Sequence, residues 1–268
     1  MILKKDATLQ VDNIDILGQL YLPGNKSQYP TVCICHGIPS GAPPDPDDGG
    51  YPELAERMCG EGFAVFIFNF RGTGASGGNF DILGWTKDLK AAIDYLWTLP
   101  EVNRSCLALL GFSGGAAVSI YVAAQDKRIS YVCACACPAE FNFFNTDESQ
   151  PIIDHFRHVG AIRDEDFPPS VTSWLSGFKM VSPIKHVAAI APHPLQLVHG
   201  SKDETVKIED AHRLYAQAED PKQLIIVDGA GHRLRQNDKA MATVVSWLKS
   251  QCSDQPSVSI DHQIENGL

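Results

Sequence analysis

Short apolar runs recur along the chain and alternate with amphipathic segments. The last six runs lack clean polar alternation, and such continuous runs are typical of strands covered on both faces, as in a parallel sheet. The first two runs read as an opening pair, followed by turn residues at Pro23-Gly24-Asn25. We predict eight strands, at Thr8–Val11, Asp15–Tyr21, Thr31–His36, Phe63–Phe70, Cys106–Leu110, Tyr131–Cys137, Leu195–Val198 and Leu224–Val227.

The segments between the strands have helical spacing. In Trp85–Leu99, apolar residues recur at positions 89, 93, 96 and 97, and the segment ends before Pro100. We predict further helices at Tyr51–Cys59, Gly114–Gln125, Val206–Ala218 and Ala240–Lys249. Strands that alternate with helices imply right-handed crossovers. The pattern therefore predicts an α/β fold with a doubly wound, mostly parallel sheet.

Two segments interrupt the alternation. Gly37–Gly50 is rich in Pro, Gly and Asp, and we predict a long surface loop there. Pro138–His186 is rich in aromatic residues, and we predict a small, mostly helical insertion. This insertion is either a lid or a packing excursion. The predicted organisation is a core of residues 1–137 and 187–252, a cap of residues 138–186, and a disordered tail at residues 253–268.

Length and charge narrow the class of protein. A chain of 268 residues with 44% apolar and 20% charged residues is typical of one large globular domain. Its formal net charge of −10 argues against nucleic acid and anionic lipid as partners, because both attract basic surfaces.

We expect no secretory signal at the start of the chain. Residues 1–6 include two lysines and an aspartate and lack the apolar stretch of a secretory signal. No apolar run reaches the roughly 18–20 residues that span a bilayer. We therefore expect a cytoplasmic protein without membrane insertion. The sequence leaves its oligomeric state open.

Eight cysteines occur, and five of them lie in two predicted strands. Cys33 and Cys35 form one set, and Cys133, Cys135 and Cys137 form the other. Alternate positions share one face of a strand. A metal cluster is one interpretation, but zinc pairs usually occur as Cys-x2-Cys in loops, so we favour buried cysteines that act as small apolar residues. Free thiols in this number favour a reducing compartment.

A candidate nucleophile lies between a strand and a helix of small residues. Gly111-Phe112-Ser113-Gly114-Gly115 has the G-x-S-x-G pattern of a nucleophile elbow. The tight turn leaves no room for bulky side chains at the two outer positions. Ser113 would then project from the strand end, near the positive end of the following helix. A glycine-rich turn with an incidental serine is the structural alternative.

A serine hydroxyl needs a base to take its proton, and that base needs an acid to orient it. His232 follows the last strand, and neighbouring glycines would let its imidazole lean toward Ser113. Asp203 lies in the loop after the preceding strand, where it could equally serve as a helix N-cap. Glu204 and Asp228 are competing acids. We expect two other strand-end histidines, His36 and His199, to bond to structure beneath the site.

The reaction also needs donors for the negative oxygen of a tetrahedral intermediate. One is the backbone N–H of Gly114, the residue after the nucleophile. The other comes from the loop after the third strand, which begins His36-Gly37-Ile38-Pro39. Pro39 has no N–H, so we predict the backbone N–H of Ile38, with Gly37 as the alternative.

One motif resembles a dinucleotide-binding site. Gly72–Gly77 satisfies G-x-G-x-x-G and follows a strand. A dinucleotide fingerprint opens directly into a helix, with an acid at the end of the next strand. Here the helix begins only near Trp85, and the next acids, Asp88 and Asp94, lie within it. We therefore expect no nicotinamide cofactor, and we expect Arg71 to anchor this loop through hydrogen bonds.

Taken together and in order, five motifs resemble the α/β-hydrolase superfamily. They are His36-Gly37, Arg71-Gly72-Thr73-Gly74-Ala75-Ser76-Gly77-Gly78, Gly111-Phe112-Ser113-Gly114-Gly115, Asp203 and Gly231-His232. The chain is most similar to the small serine esterases, peptidase-like hydrolases and acyl hydrolases, over about residues 8–250. The family's order Ser…Asp…His favours Asp203 as the acid. The resemblance implies an α/β-hydrolase fold, a catalytic triad and no cofactor or metal, but no particular substrate.

Departures from the family patterns narrow the branch. The His-Gly-Gly-Gly loop of one lipase branch is missing, and the nucleophile is serine, unlike the aspartate of haloalkane dehalogenases or the cysteine of dienelactone hydrolases. We expect a carboxylic ester hydrolase acting on a small molecule. A thioesterase or a peptidase is an alternative, as is a non-catalytic receptor of the same fold. An exopeptidase would need acids for the substrate amine, for which the candidates are Asp45, Asp47, Asp48, Glu140, Asp147 and Glu148.

Overall fold

The computed structural model describes residues 1–24, 26–41, 46–141 and 149–253. Within these ranges, eight strands occur where the apolar pattern predicts them. They are β1 (Leu3–Val11), β2 (Ile14–Leu22), β3 (Tyr29–Cys35), β4 (Ala64–Phe68), β5 (Val102–Phe112), β6 (Tyr131–Cys135), β7 (Leu195–Gly200) and β8 (Lys222–Val227).

All eight strands join one sheet, in the order β1-β2-β4-β3-β5-β6-β7-β8. β2 is antiparallel to both β1 and β4, and every pairing from β4 to β8 is parallel. The predicted α/β-hydrolase fold, with a doubly wound and mostly parallel sheet, is confirmed. Because parallel strands all point the same way, the loops after β3, β5, β7 and β8 meet at one edge of the sheet.

The opening hairpin has a two-residue loop. Val11 pairs with Ile14, and both Asp12 and Asn13 have positive φ, at 52° and 61°. This left-handed conformation suits the tight hairpin turns whose twist matches that of the strands, and Asp and Asn tolerate it better than most residues.

Seven helices of the described chain connect or follow the strands. They are α1 (Gly50–Gly60), α2 (Ile82–Thr98), α3 (Gly114–Ala123), α4 (Ser149–His158), α5 (Val171–Val181), α6 (Ile208–Gln217) and α7 (Asp238–Ser253). Short 3-10 helices occur at Pro183–Lys185, Val187–Ile190 and Leu234–Gln236. Asp81 starts α2 by accepting a hydrogen bond from the backbone N–H of Leu83.

The core lies on both faces of the sheet. In β5, Leu107 and Leu109 pack toward α2 and α3, while Ala108 and Leu110 pack toward α1 and α7. All four residues are at most 1% exposed. Burial on both faces is why the parallel strands have no polar alternation.

The two cysteine sets follow the faces of their strands, with one exception. Cys33 and Cys35 share one face, and Cys133 and Cys135 share one face, but Cys137 lies in the opposite core cluster. The predicted strand 131–137 was too long, because β6 ends at Cys135 and Ala136 has a positive φ of 50°. That left-handed residue turns the chain and redirects Cys137.

The expectation that all the cysteines are free thiols is wrong for two of them. Cys106 in β5 and Cys252 in α7 form a disulfide across 146 residues of sequence. The other six cysteines are free and buried. The disulfide attaches the last helix to the central strand.

The last helix also ends later than predicted. α7 extends to Ser253, where the structural description stops, so the predicted disordered tail of residues 253–268 lies otherwise outside the described residues. Within the described ranges, every helix is too short or too polar to cross a lipid bilayer.

Candidate active site

Ser113 lies in the turn between β5 and α3, at the central strand's carboxyl end. Its φ of 52° and ψ of −120° are unusual for a residue with a side chain. The Ser113 amide donates to the carbonyl of Cys135 in the neighbouring strand, at 2.8 Å. The strained backbone is held by the sheet and by α3, and it projects the hydroxyl from the edge of the sheet.

The two outer glycines of this turn are needed for different reasons. A Cβ on Gly111 would stand 2.4 Å from the Cα of Ala116, inside the turn itself. A Cβ on Gly115 would stand 2.2 Å from the carbonyl oxygen of His36 and 2.3 Å from that of Cys35. Gly111 therefore permits the turn, while Gly115 lets α3 approach the end of β3.

The structure brings Ser113, His232 and Asp203 together. His232 Nε2 is 3.1 Å from Ser113 Oγ, and His232 Nδ1 is 2.8 Å from Asp203 Oδ2 and 3.0 Å from Oδ1. The carboxylate accepts a hydrogen bond from the Nδ1–H group, which leaves the lone pair of Nε2 facing the hydroxyl. The competing acids lie elsewhere, since Glu204 is exposed and Asp228 accepts from Ser201 Oγ at 3.1 Å.

The Asp203 carboxylate is fully buried but well supplied with donors. Its Oδ1 accepts the backbone N–H groups of Thr205 at 2.9 Å and Val206 at 2.8 Å. Burial alone would raise the pKa of Asp203, but the hydrogen bonds from His232 and Val206 outweigh it and lower the pKa below its ordinary value. Asp203 is therefore ionised, and it both caps its own loop and faces the imidazole.

His199 supports this loop from below. It is 1% exposed, and its Nε2 is 2.9 Å from the carbonyl oxygen of Val206 and 3.5 Å from Asp203 Oδ2. The expectation that His199 bonds to structure beneath the site agrees with this geometry.

The glycine that lets the His232 loop approach is Gly200 in β7. A Cβ there would stand 2.3 Å from the carbonyl oxygen of Ala230 and 2.6 Å from that of Gly231. A Cβ on Gly231 would have Lys202 O as its nearest neighbour, at 3.8 Å. The expectation that glycines beside His232 provide the access is therefore wrong for Gly231, because the crowding lies on the opposing strand.

The two predicted oxyanion donors are neighbours. Gly114 is the first residue of α3, and N–H groups in the first turn of a helix have no partner within that helix. A Cβ built on Gly114 would stand 3.4 Å from the backbone nitrogen of Ile38. The Gly114 and Ile38 peptides thus border the same space beside Ser113, with Gly37 also next to the serine side chain.

A cavity of about 580 Å³ opens over Ser113 and His232. Its apolar wall comes from the loop after β3, from α1, from Phe112, from α4 and from the 3-10 helix after β8. These residues are Ile38, Pro39, Tyr51, Phe112, Phe156 and Leu234. Such a volume suits a small organic molecule with apolar and polar parts.

The lining of the cavity also includes a polar cluster that the motifs did not indicate. Arg235 Nη1 donates to Asp48 Oδ1 at 2.6 Å, and its Nη2 contacts Asp48 Oδ2. The guanidinium also lies over the Tyr51 ring, 4.9 Å from its centroid. Arg235 lowers the pKa of Asp48 well below its ordinary value, and burial raises the pKa of Tyr51 to about 12. The cluster joins residues 187 positions apart, so local sequence gave no signal for it.

The acids considered for binding a substrate amine are not available where the structure describes them. Asp48 is paired with Arg235, and Glu140 accepts from Arg213 at 2.6 Å. Asp47 lines a separate depression beside the cavity. Asp45, Asp147 and Glu148 lie outside the described residues.

The segment predicted as a cap contributes one wall and also reaches the core. His155 and Phe156 of α4 line the cavity. Further along, Trp174 of α5 donates to the carbonyl of Phe80 at 2.9 Å, and Phe178 is fully buried. Whether the segment moves as a lid stays a prediction.

The loop after β4 is anchored by Arg71, as expected. Arg71 Nη2 and Nε donate to Asp88 in α2 at 2.7 Å and 3.0 Å, and Arg71 Nη1 donates to Asp12 at 3.1 Å. Asp88 is fully buried. A Cβ on Gly72 would stand 2.3 Å from the backbone nitrogen of Phe80, so the loop folds onto itself before α2 begins.

His36, at the end of β3, belongs to this anchored loop. Its Nε2 accepts from the Phe70 amide at 3.2 Å and lies 3.0 Å from Thr73 Oγ1. Its Nδ1 therefore carries the proton and donates to the Gly37 carbonyl at 2.8 Å. Burial lowers the pKa of His36 to about 4, so the ring is neutral near pH 7.

The predicted absence of a metal stays a prediction. Among the residues that the structure describes, no group of three or more His, Cys, Asp or Glu side chains is arranged to hold an ion. The buried Cys133 donates instead to Gln196 Oε1 at 3.2 Å.

Comparison with known proteins assigns this architecture to a family. The model of the prolyl oligopeptidase family, Peptidase_S9, matches residues 53–255. Among curated sequences, the uncharacterized protein PA2218 of Pseudomonas aeruginosa is 25% identical, with 82% of this chain and 72% of PA2218 aligned. The uncharacterized protein YfhR of Salmonella typhi is 28% identical over 63% of this chain. The chain spans about half of YfhR, 54% of its length.

Two solved structures illustrate the fold. The α/β hydrolase GrgF from Penicillium sp. superimposes with a TM-score of 0.69 at 22% identity, covering 94% of this chain and 97% of GrgF. The Pyrococcus furiosus esterase Pf2001 has a TM-score of 0.68 at 24% identity, covering 93% of each chain. Likeness at this level of identity establishes the fold.

Proposed function

The chain belongs to the prolyl oligopeptidase family of hydrolases, and on that premise we propose that it hydrolyses carboxylic esters through an acyl-enzyme on Ser113. His232 acts as the base and acid, and Asp203 orients it. The observation that carries this proposal is the chain of hydrogen-bond distances, 3.1 Å from Ser113 Oγ to His232 Nε2 and 2.8 Å from His232 Nδ1 to Asp203 Oδ2. A neutral imidazole held in this tautomer can take a proton from the hydroxyl.

In the first half of the reaction, His232 Nε2 takes the proton of Ser113 as Oγ attacks the carbonyl carbon. The carbonyl oxygen becomes negative, and the backbone N–H groups of Gly114 and Ile38 donate to it. The bond from carbon to the leaving oxygen then breaks, and His232 gives its proton to that oxygen. The alcohol departs and the acyl group stays on Ser113.

In the second half, water replaces the alcohol. His232 takes a proton from the water as its oxygen attacks the acyl carbon, and the same two N–H groups bind the oxyanion. The bond to Ser113 Oγ breaks, Oγ recovers its proton from His232, and the carboxylic acid leaves. Asp203 stays ionised throughout and stabilises the imidazolium in each half.

Esters are proposed over peptides because of the charges around the cavity. An exopeptidase that acts from the amino terminus must bind an ammonium group, and Asp48, the one acid among the described lining residues, is already paired with Arg235. The name of Pf2001, an esterase of the same fold, favours the same choice. A thioester presents the same kind of reacting carbonyl group as an ester, so the substrate panel below includes thioesters.

The test compares two hydroxyls that each lie near a histidine. In Ser113→Ala, turnover of short p-nitrophenyl esters should fall by about 10⁴-fold or more, because the nucleophile is lost. Thr73→Val removes a hydroxyl 3.0 Å from His36 Nε2 and serves as the matched control, with turnover within about two-fold of wild type. Labelling by a fluorophosphonate should follow the same pattern.

A substrate panel then fixes the reaction class. Wild type and Ser113→Ala are assayed on matched acetyl esters, thioesters and amides, and the amide should be the slowest. Near wild-type rates in Ser113→Ala would contradict the assignment of the nucleophile. Absence of both turnover and labelling in wild type would favour the non-catalytic receptor.

A further inference from the structure

Besides His232 and the neutral Tyr51, the described lining of the cavity includes four ionisable side chains, and two of them neutralise each other. They are Asp48, His155, Arg233 and Arg235. Asp48 and Arg235 form a two-point ion pair, with side chains 17% and 16% exposed. Gln236 Nε2 donates to the same carboxylate at 2.6 Å. This ion pair therefore contributes no net charge to the cavity.

The remaining two side chains are cationic or basic. Arg233 is exposed, and its guanidinium has no hydrogen bond or ion pair with any residue of the described ranges. His155 is exposed on α4 and also lines the cavity. Among the described lining residues, Arg233 therefore leaves an excess positive charge, on a chain whose formal net charge is −10. A local charge that opposes the overall charge favours an anionic ligand at that position.

The position of Arg233 relates this charge to one side of the reaction. Arg233 directly follows His232 and lines both the cavity and an adjoining depression formed with Gly231, Gln236 and Asn237. In the proposed mechanism, His232 must reach the leaving oxygen, so the leaving group lies on the His232 side of Ser113. The oxyanion donors Ile38 and Gly114 lie next to Ser113 on the loop after β3 and on α3.

We propose that the preferred substrate is an ester whose leaving group carries a carboxylate, and that Arg233 pairs with that carboxylate. The inference rests on the proposed function and adds the substrate class. A guanidinium offers two parallel N–H donors that match the two oxygens of a carboxylate. Because Arg233 is exposed, the effect on specificity is modest, about five-fold in kcat/KM.

Two probes with one acyl group isolate this contact. 4-Acetoxybenzoate and its methyl ester differ by one charge and one methyl group on the leaving group. We expect the ratio of kcat/KM, carboxylate over methyl ester, to fall about five-fold in Arg233→Gln, with the methyl ester changed less than about two-fold. Arg233→Lys keeps the positive charge but lacks the two parallel N–H donors, so its kcat/KM ratio should lie between those of wild type and Arg233→Gln. Comparing ratios cancels the intrinsic reactivity of the two esters.

Arg104→Gln is the matched control. Arg104 is an exposed arginine near the start of β5, at the opposite end of that strand from Ser113, and it stacks on Trp97 with 5.5 Å to the ring centroid. The Arg104→Gln substitution removes the same charge from the chain as Arg233→Gln does. The kcat/KM ratio of Arg104→Gln should therefore equal that of wild type. Added salt, about 0.5 M, should screen the charge of Arg233 and lower the wild-type kcat/KM ratio toward that of Arg233→Gln.

The outcomes separate the two proposals. An unchanged ratio in Arg233→Gln, with the methyl ester still hydrolysed through Ser113, overturns the carboxylate subsite and leaves the esterase intact. An equal fall in Arg104→Gln also overturns it, because the effect would come from the overall charge. If wild type hydrolyses neither ester and is not labelled at Ser113, the esterase fails and the subsite fails with it.

Discussion

Two clusters at the same edge of the sheet contain the same kinds of side chain. In one, Thr73 Oγ1 lies 3.0 Å from His36 Nε2; in the other, Ser113 Oγ lies 3.1 Å from His232 Nε2. Each cluster also has a fully buried aspartate nearby, Asp88 in the first and Asp203 in the second. By distance alone, the two hydroxyl and histidine pairs are equivalent.

The partners of the second ring nitrogen separate them. His36 Nδ1 donates to the neutral carbonyl of Gly37, while His232 Nδ1 donates to the Asp203 carboxylate. A carbonyl offers little to balance a positive ring, and burial lowers the pKa of His36 to about 4. A carboxylate can stabilise the imidazolium that proton transfer creates.

The two aspartates differ in the same way. Asp88 faces Arg71, which keeps its charge at every ordinary pH, so that pair is static and anchors a loop. Asp203 faces a histidine, whose charge can change during a reaction. The comparison teaches that the third partner, more than the distance between hydroxyl and imidazole, separates a site capable of proton transfer from a structural one.

The largest expected effect is on the Asp203 side of the comparison. Asp203→Asn keeps the shape but removes the charge that fixes the His232 tautomer, so kcat on p-nitrophenyl esters should fall by about 10⁴-fold. Glu204→Gln and Asp228→Asn, which change the neighbouring acids, should stay within about two-fold of wild type. Equal losses in all three variants would mean that general charge near His232, and not this contact, is what matters.

The second-largest expected effect is a loss of stability when the loop after β4 loses its Arg71 anchor. Arg71→Met leaves the buried Asp88 carboxylate without its cation and should lower the free energy of unfolding by about 3–5 kcal/mol. Urea unfolding measures the change, with the exposed Arg104→Met as the control. The folded fraction should still be labelled at Ser113. Full stability with lost labelling would assign Arg71 to the active site instead.

The smallest effect is the pH dependence that His36 confers. Its pKa is lowered from 6.5 in the unfolded chain to about 4 in the folded one. Above pH 6.5 the ring is neutral in both states, and the folded chain keeps the full stability that the buried ring confers. As the pH falls below 6.5, the unfolded chain takes up the proton first, so this stability decreases and is lost as the pH falls through about 4. The stability advantage of wild type over His36→Gln should shrink between pH 7 and pH 4.

Two measurements follow this prediction. Urea unfolding at several pH values gives the difference between the variants, and the imidazole proton shifts of wild type report the titration directly. A constant difference over this range, or an NMR titration near pH 6.5, would mean that the ring is as well hydrated as a free histidine.

Much of the fold could be predicted from sequence because it depends on local pattern. Continuous apolar runs indicate parallel strands whatever their order, and the elbow at Gly111–Gly115 has strict local sterics. The order of the strands in the sheet, the Cys106–Cys252 disulfide and the turn at Ala136 could not be predicted, since each depends on contacts between distant residues.

The same distinction between local pattern and distant contacts applies to the candidate site. Sequence alone determined which residue types could act, and it named Ser113, Asp203 and His232, because each follows a strand whose end must face the same edge. Tertiary structure decided what surrounds them: the pairing of Asp48 with Arg235, the lack of a partner for Arg233 among the described residues, and the need for Gly200 opposite the His232 loop. Chemistry is a property of a residue, which the sequence states, whereas charge balance and close approach are properties of neighbours, which only the folded chain brings together.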